Sequence, residues 1–244
     1  MVSPRLFNKE LSETPLNLKT VSLRRCENDP CLHRSNPPER LSCSIYVNDF
    51  RLASDSERTL EDFVNELGRT FKFTSRNLEL LFCGLRINVS PERERIQINQ
   101  GQYLTELLAG FNISNRKTSS TPIDATSKSA CEENADLGIE PRGVVSGSMY
   151  ASVACTADRS YAVGSLSRYL DKPTKHLQCV AMIELRYFSG TKNFGPKYVR
   201  NAFNNMKEFS DADWAECHAT LRSTSGITVL FGGNPVTGRS QRQQ

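Results

Sequence analysis

A chain of 244 residues can hold one large domain or two smaller ones. Hydrophobic residues make up 38% and charged residues 24%, so a core is possible but lean, and no apolar run approaches the roughly 20 residues of a membrane span. The formal charge of +4 suits nucleic acid only weakly and selects no partner alone. With no apolar signal-peptide core at the N-terminus, a soluble intracellular protein, cytoplasmic or nuclear, is expected.

In chain order, residues 1–41 read as polar and irregular, with Leu6, Leu11, Leu16 and Leu18 able to form a weak amphipathic helix broken at Pro15. Residues 42–54 read as a β-hairpin. Ile45, Tyr46 and Val47 are strand formers, a second apolar run follows at 50–53, and Asn48 and Asp49 tolerate a tight turn at the tip. A carboxylate at such a tip is placed to share in holding a divalent ion. Leu60, Phe63, Val64, Leu67 and Phe71 then form one helical stripe, capped by Ser54, Asp55 or Ser56 and expected to pack on the hairpin's sheet.

Two strands are expected at 81–89 and 95–99, joined by the polar turn at 91–94, followed by a helix over 100–111. Residues 114–140 are linker-like. Helix returns over 142–190, with Pro173 as a first-turn residue, a stripe at Leu177, Val180, Ala181, Leu185 and Phe188, and Gly190 as a C-cap. Strands are expected at 207–214, at 225–231 and from 235 onward. The fold class is α+β. The eight cysteines contain no C-x-x-C pair and are expected as reduced thiols.

Several of these stretches resemble the Pol polyprotein of copia-type retrotransposons. Tyr46-Val47-Asn48-Asp49 resembles the Tyr-x-Asp-Asp hairpin of reverse transcriptases. Ser3-Pro4-Arg5-Leu6 and Arg25-Cys26-Glu27-Asn28-Asp29-Pro30-Cys31-Leu32 resemble the family's segment ahead of that hairpin. Phe82-Cys83-Gly84-Leu85 is similar to the strand after its palm helix, Ile98-x-Gln100-x-x-Tyr103 to its thumb entry, and Ser120-Thr121-Pro122 to a motif beyond the thumb. Residues 161–188 are similar to its connection region, and Ser210-Asp211-Ala212-Asp213-Trp214 with Arg222-Ser223-Thr224-Ser225-Gly226 to the opening strands of its RNase H domain. Two places depart from the pattern: no Arg-Pro precedes Asp158, and Pro141-Arg142-Gly143-Val144 lacks the family's Tyr-Arg-Ser.

The resemblance implies a partial reverse transcriptase palm and thumb at 1–113, a linker at 114–141, a helical connection at 142–200, and a truncated RNase H-like sheet at 201–244. It places the hairpin's neighbouring palm strand upstream of residue 1. The ancestral activity it implies is RNA-directed DNA polymerisation with RNA-strand degradation, on RNA and DNA as partners, within a larger Pol polyprotein. Both reactions use Mg²⁺, which takes hard charged oxygens. Asp49 and Asp211 are the matching catalytic and metal positions, but Asn48, a neutral amide, stands where the hairpin's first acid belongs. The expectation is therefore an inactive relic with no bound metal. Arg186, Lys192, Lys197 and Arg200, near the connection, are candidate phosphate contacts, or an ordinary solvated face.

Overall fold

The computed structural model describes residues 3–9, 23–37, 40–47, 49–70, 72–77, 79–113, 116–123, 138–202, 205–215, 217 and 220–243, with backbone alone for 3–9, 70, 73–77, 79 and 80. The chain divides into two compact units, Met1–Ile96 and Gln97–Gln244. Helices and antiparallel strands are both present in a mixed α+β arrangement.

In the first unit, β1 (Ser3–Lys9), β2 (Leu23–Arg25), β3 (Leu32–Ser35), β4 (Leu41–Tyr46), β5 (Asp49–Ser54) and β6 (Phe73–Asn77) form one sheet in the order β2-β3-β4-β5-β1-β6. The polar N-terminal stretch, expected to be irregular with a weak helix through Leu6, instead contributes three of its strands. Strand pairing with distant residues overrides the weak local helix signal. Leu11, Leu16 and Leu18 lie outside the described residues. The expectation that the hairpin lacks a neighbouring strand is corrected as well: β1 runs antiparallel to β5 from Ser3↔Ser54 to Asn8↔Asp49, and β3 pairs with β4. The hairpin is therefore interior to the sheet.

Alternate residues of β4 and β5 face inward, as a half-buried strand requires. Leu41, Cys43, Phe50 and Leu52 are buried, and burial pushes the Cys43 thiol up to about 12. Against them lies α1 (Glu57–Thr70), whose Leu60, Phe63 and Leu67 complete the cluster. Each of these side chains contributes roughly 1.5 to 3 kcal/mol by leaving water. The helix starts where Ser56 Oγ accepts from the Thr59 N–H, with Glu57 in the first turn and Arg69 in the last, both matched to the helix dipole. Phe71, the last member of the expected stripe, lies outside the described residues.

The single strand expected over 81–89 is two strands, β7 (Glu79–Phe82) and β8 (Leu85–Val89), paired through Phe82↔Leu85. Cys83 at φ 50° and Gly84 at φ 69° make a two-residue turn, and two successive positive φ angles reverse the chain tightly. After the expected turn at 91–94, where Arg93 reaches Glu57 at 3.0 Å, comes β9 (Arg95–Asn99), and the division between the units falls inside it.

In the second unit, α2 (Gly101–Gly110), α3 (Pro141–Ala154) and α5 (Lys175–Thr191) pack around Leu104, Leu108, Val144, Ala151, Leu185 and Phe188, while α4 (Ser160–Ser167) sets Val163 and Leu166 against Val145, Leu177 and Val180 in a second cluster. A single 3-10 turn, Ala157–Arg159, links α3 to α4. Glu140 caps α3, its carboxylate accepting from the Arg142 and Gly143 N–H groups, and Pro141 opens the helix. Thr174 caps α5, so Pro173 precedes that helix instead of opening it. Gly190 is not its C-cap either. It lies within the last turn of α5, where an added Cβ would stand 3.2 Å from Thr118, so close packing is what favours a glycine. Within the expected linker, residues 116–123 are tied down by the helices: Ser119 N–H donates to the Arg186 carbonyl, and Ile123 packs on the Val145 cluster. Residues 124–137 lie outside the described residues.

Beyond α5 come β10 (Lys197–Val199), hydrogen-bonded beside β9, and a three-stranded antiparallel sheet of β11 (Met206–Ala212), β12 (Thr224–Phe231) and β13 (Asn234–Arg242), with β12 central. β11 is exposed along its whole length. Cys26, Cys31, Cys43, Cys83, Cys155 and Cys217 are in no disulfide, whereas Cys179 is disulfide-bonded, which corrects the all-reduced expectation at that residue. Among the described residues no helix is long and apolar enough to cross a membrane.

Candidate functional site

The hairpin of β4 and β5 positions the first candidate residues. Its pairing closes at Tyr46↔Asp49. Asp49, expected at the tip, therefore lies in the strand, where it opens β5 opposite Tyr46 on one side and Asn8 on the other. Val47 has φ 52°, a left-handed conformation that a β-branched side chain adopts only at a cost of about 1 to 3 kcal/mol. Asn48 itself lies outside the described residues.

Beside this tip stands the turn between β7 and β8. The Tyr46 and Phe82 rings meet edge to face with centroids 6.4 Å apart. Burial, and then the Asp49 carboxylate, push the Cys83 thiol above its ordinary value. Two adjacent turns thus present Tyr46, Asp49, Phe82 and Cys83 together. Among the described residues, Asp49 is not joined by two further His, Cys, Asp or Glu side chains in a group that could hold a metal ion. A single carboxylate does not fit Mg²⁺, which requires several hard oxygens around it.

Asp211 lies near the end of β11, exposed, with Oδ1 accepting from the Ala212 N–H at 2.9 Å. Asp213 is just past the strand. Its Oδ2 accepts from the Thr224 N–H at 3.0 Å, while its own N–H donates to the Thr224 carbonyl, so this acid helps bind β11 to β12. Both acids line an open cleft of about 600 Å³ whose other wall carries Asp158, Ser160 and Tyr161, with Arg239 of β13 in the lining. Asp158 in turn accepts from the Tyr187 hydroxyl, and burial together with that bond pushes Tyr187 up to about 12.

The four basic candidates differ in what they do. Arg186 Nε donates to the Lys117 carbonyl at 2.6 Å, which gives this guanidinium a structural role in fastening residues 116–123 to α5. Lys192 is half-buried at the C-cap of α5. Lys197 and Arg200 are exposed at and just past β10, where Asn234 bonds both the N–H and the carbonyl of Lys197.

One pair was missed in the sequence. Arg159 and Glu184 are both fully buried. Arg159 Nη2 donates to Thr191 Oγ1, and its guanidinium lies 4.2 Å from the Phe188 ring centroid. Neither Glu184 oxygen has a hydrogen-bond partner. Burial pushes the Glu184 carboxyl up to about 8, against the pull of Arg159. The sequence did carry a signal: Glu184 stands seven residues after Leu177 and four before Phe188, inside the apolar stripe of α5.

No protein-family model matches the chain. It is 30% identical over 203 residues to the retrovirus-related Pol polyprotein from transposon RE1 of Arabidopsis thaliana, covering 82% of this chain and 14% of that polyprotein. It is 26% identical over 242 residues to the retrovirus-related Pol polyprotein from transposon TNT 1-94 of Nicotiana tabacum, covering 93% of this chain and 18% of that one. An uncharacterized mitochondrial protein of Arabidopsis thaliana is 27% identical over 204 residues, with 82% of each chain covered. The chain thus spans less than a fifth of the length of the two Pol polyproteins it matches.

Proposed function

We propose that this chain, which belongs to the copia-type family of retrovirus-related Pol polyproteins, is a degenerate part of such a polyprotein that catalyses neither DNA synthesis nor RNA cleavage. In this reading the first unit and α2 correspond to the end of the palm and the thumb, α3 to α5 to the connection, and β11 to β13 to the opening of an RNase H domain. The observation that carries the reading is the hairpin. Tyr46↔Asp49 closes it, and the residue before Asp49 in the sequence is Asn48, a neutral amide at the position that the polymerase resemblance assigns to a metal-binding acid. Without that charge, Asp49 alone is a poor Mg²⁺ ligand set. The exposed Asp211, with one oxygen turned back to its own strand, is likewise a remnant of the RNase H acids.

Template-dependent primer extension with Mg²⁺ or Mn²⁺ tests this. The purified chain is expected to add no nucleotide, and Asn48→Asp alone is expected not to restore addition. Extension that disappears in Asp49→Ala would overturn the reading.

A second reading, nucleic-acid binding kept after catalysis was lost, draws on the exposed Lys197 and Arg200 beside the half-buried Lys192. It requires affinity for an RNA–DNA duplex that falls steeply with salt and weakens when these three residues are replaced together by alanine. Affinity that is absent at low salt rejects it.

A further inference from the structure

We propose that the outer edge of β11 is a self-association surface, on which a second copy of this chain adds its own β11 antiparallel about Phe209. β12 covers one side of β11, and among the described residues no strand lies along the other. The alternation of the backbone identifies which groups face outward. Asp213 N–H donates to the Thr224 carbonyl, and the Asn205 carbonyl accepts from Gly232 N–H, so the odd-numbered residues point their amides at β12. The N–H and C=O groups of Met206, Glu208 and Ser210 and the C=O of Ala212 therefore point away from it, while the Ala212 N–H donates to Asp211 Oδ1. An exposed row of this kind is a template for another strand.

The side chains favour a copy of β11 itself. Pairing about Phe209 sets Glu208 opposite Ser210 and Met206 opposite Ala212. These are the positions whose backbone groups face outward, so the hydrogen-bonding pattern is met except at the Ala212 N–H, which Asp211 Oδ1 takes. Lys207 then lies opposite Asp211 at a non-hydrogen-bonded position, where side chains come closest, and the two-fold axis repeats this opposite-charge pair. Phe209, 57% exposed, meets Phe209 of the copy on the axis. A shift of two residues one way brings Glu208 against Glu208. A shift the other way separates the two phenyl rings and sets Lys207 opposite Asp213, whose carboxylate ties β11 to β12 through the Thr224 N–H, whereas the Asp211 carboxylate bonds a neighbour on its own strand. One register thus joins opposite charges and brings the two rings together.

The experiment is sedimentation equilibrium of the full chain across the micromolar range, on the wild type, Lys207→Glu, Asp211→Lys and the double variant. A dimer is expected for the wild type. Each single reversal is expected to weaken it by about tenfold, because each places two like-charge pairs across the axis. The double reversal is expected to restore it. Ser210→Pro, which removes an outward N–H and spares the bonds to β12, is expected to abolish the dimer while circular dichroism and the melting transition stay those of a folded chain. A monomer at every concentration overturns the proposal, as does a dimer that none of the variants weakens.

Discussion

Replacing Glu184 by glutamine should flatten the dependence of stability on pH. The wild-type carboxyl is fully buried with no hydrogen-bond partner, and its folded pKa of about 8 lies above the ordinary 4.5. Burial raises it, Arg159 opposes the rise, and Asp158 adds to it. Because the folded value is the higher one, the folded state favours the protonated acid. Stability from this group is complete below about 4.5 and is lost as pH climbs through about 8. Across that interval the loss is on the order of 5 kcal/mol, comparable with the roughly 5 to 15 kcal/mol that hold a whole domain. Glutamine keeps the shape and cannot ionise. Urea denaturation of both proteins at a series of pH values between 5 and 9 should show the wild type losing stability as pH rises and Glu184→Gln nearly level. Equal slopes would refute the reasoning, as would a wild type that gains stability over this range.

Gly195→Ala should destabilise the second unit by about 3 kcal/mol, because the new Cβ would stand 1.9 Å from the Ile98 carbonyl oxygen, a backbone atom with little freedom to yield; a denaturation midpoint equal to that of the wild type would contradict this. Asp49→Asn should speed alkylation of Cys83 by a few-fold near pH 8, since the neighbouring carboxylate is one of the two causes that hold its thiol protonated. Peptide mapping by mass spectrometry reads that rate against Cys31, an exposed free thiol, and an unchanged ratio would separate the two groups.

Much of the local structure was legible because its signals are local. The α1 stripe of Leu60, Phe63 and Leu67, the cap at Ser56 and the three last strands all follow from side-chain period and short-range capping. The misreadings arose where the deciding contact lies far along the chain. β1 is a strand because β5 is there to pair with it, and nothing in residues 3–9 announces that. The Cys83-Gly84 reversal was hidden because the apolar residues on both sides of it read as one run. Asp49 was expected at the hairpin tip because it tolerates turns, and its pairing with Tyr46 places it in the strand instead. In the candidate site, Asp49 and Asp211 could be named from sequence. Glu184 was visible as an acid in an apolar stripe, although the influence of Arg159 on it depends on the packing of α5.

The central claim is that the hairpin carrying Asp49 does not hold the divalent ion that nucleotidyl transfer needs. Titration with Mn²⁺, followed by the loss of its free electron paramagnetic resonance signal, measures this directly on the wild type and on Asp49→Ala. The account predicts that the two proteins leave the same weak, unsaturated signal loss up to millimolar metal, because one carboxylate beside an amide supplies too little charge. Saturable uptake of one Mn²⁺ by the wild type, lost in Asp49→Ala, would contradict it.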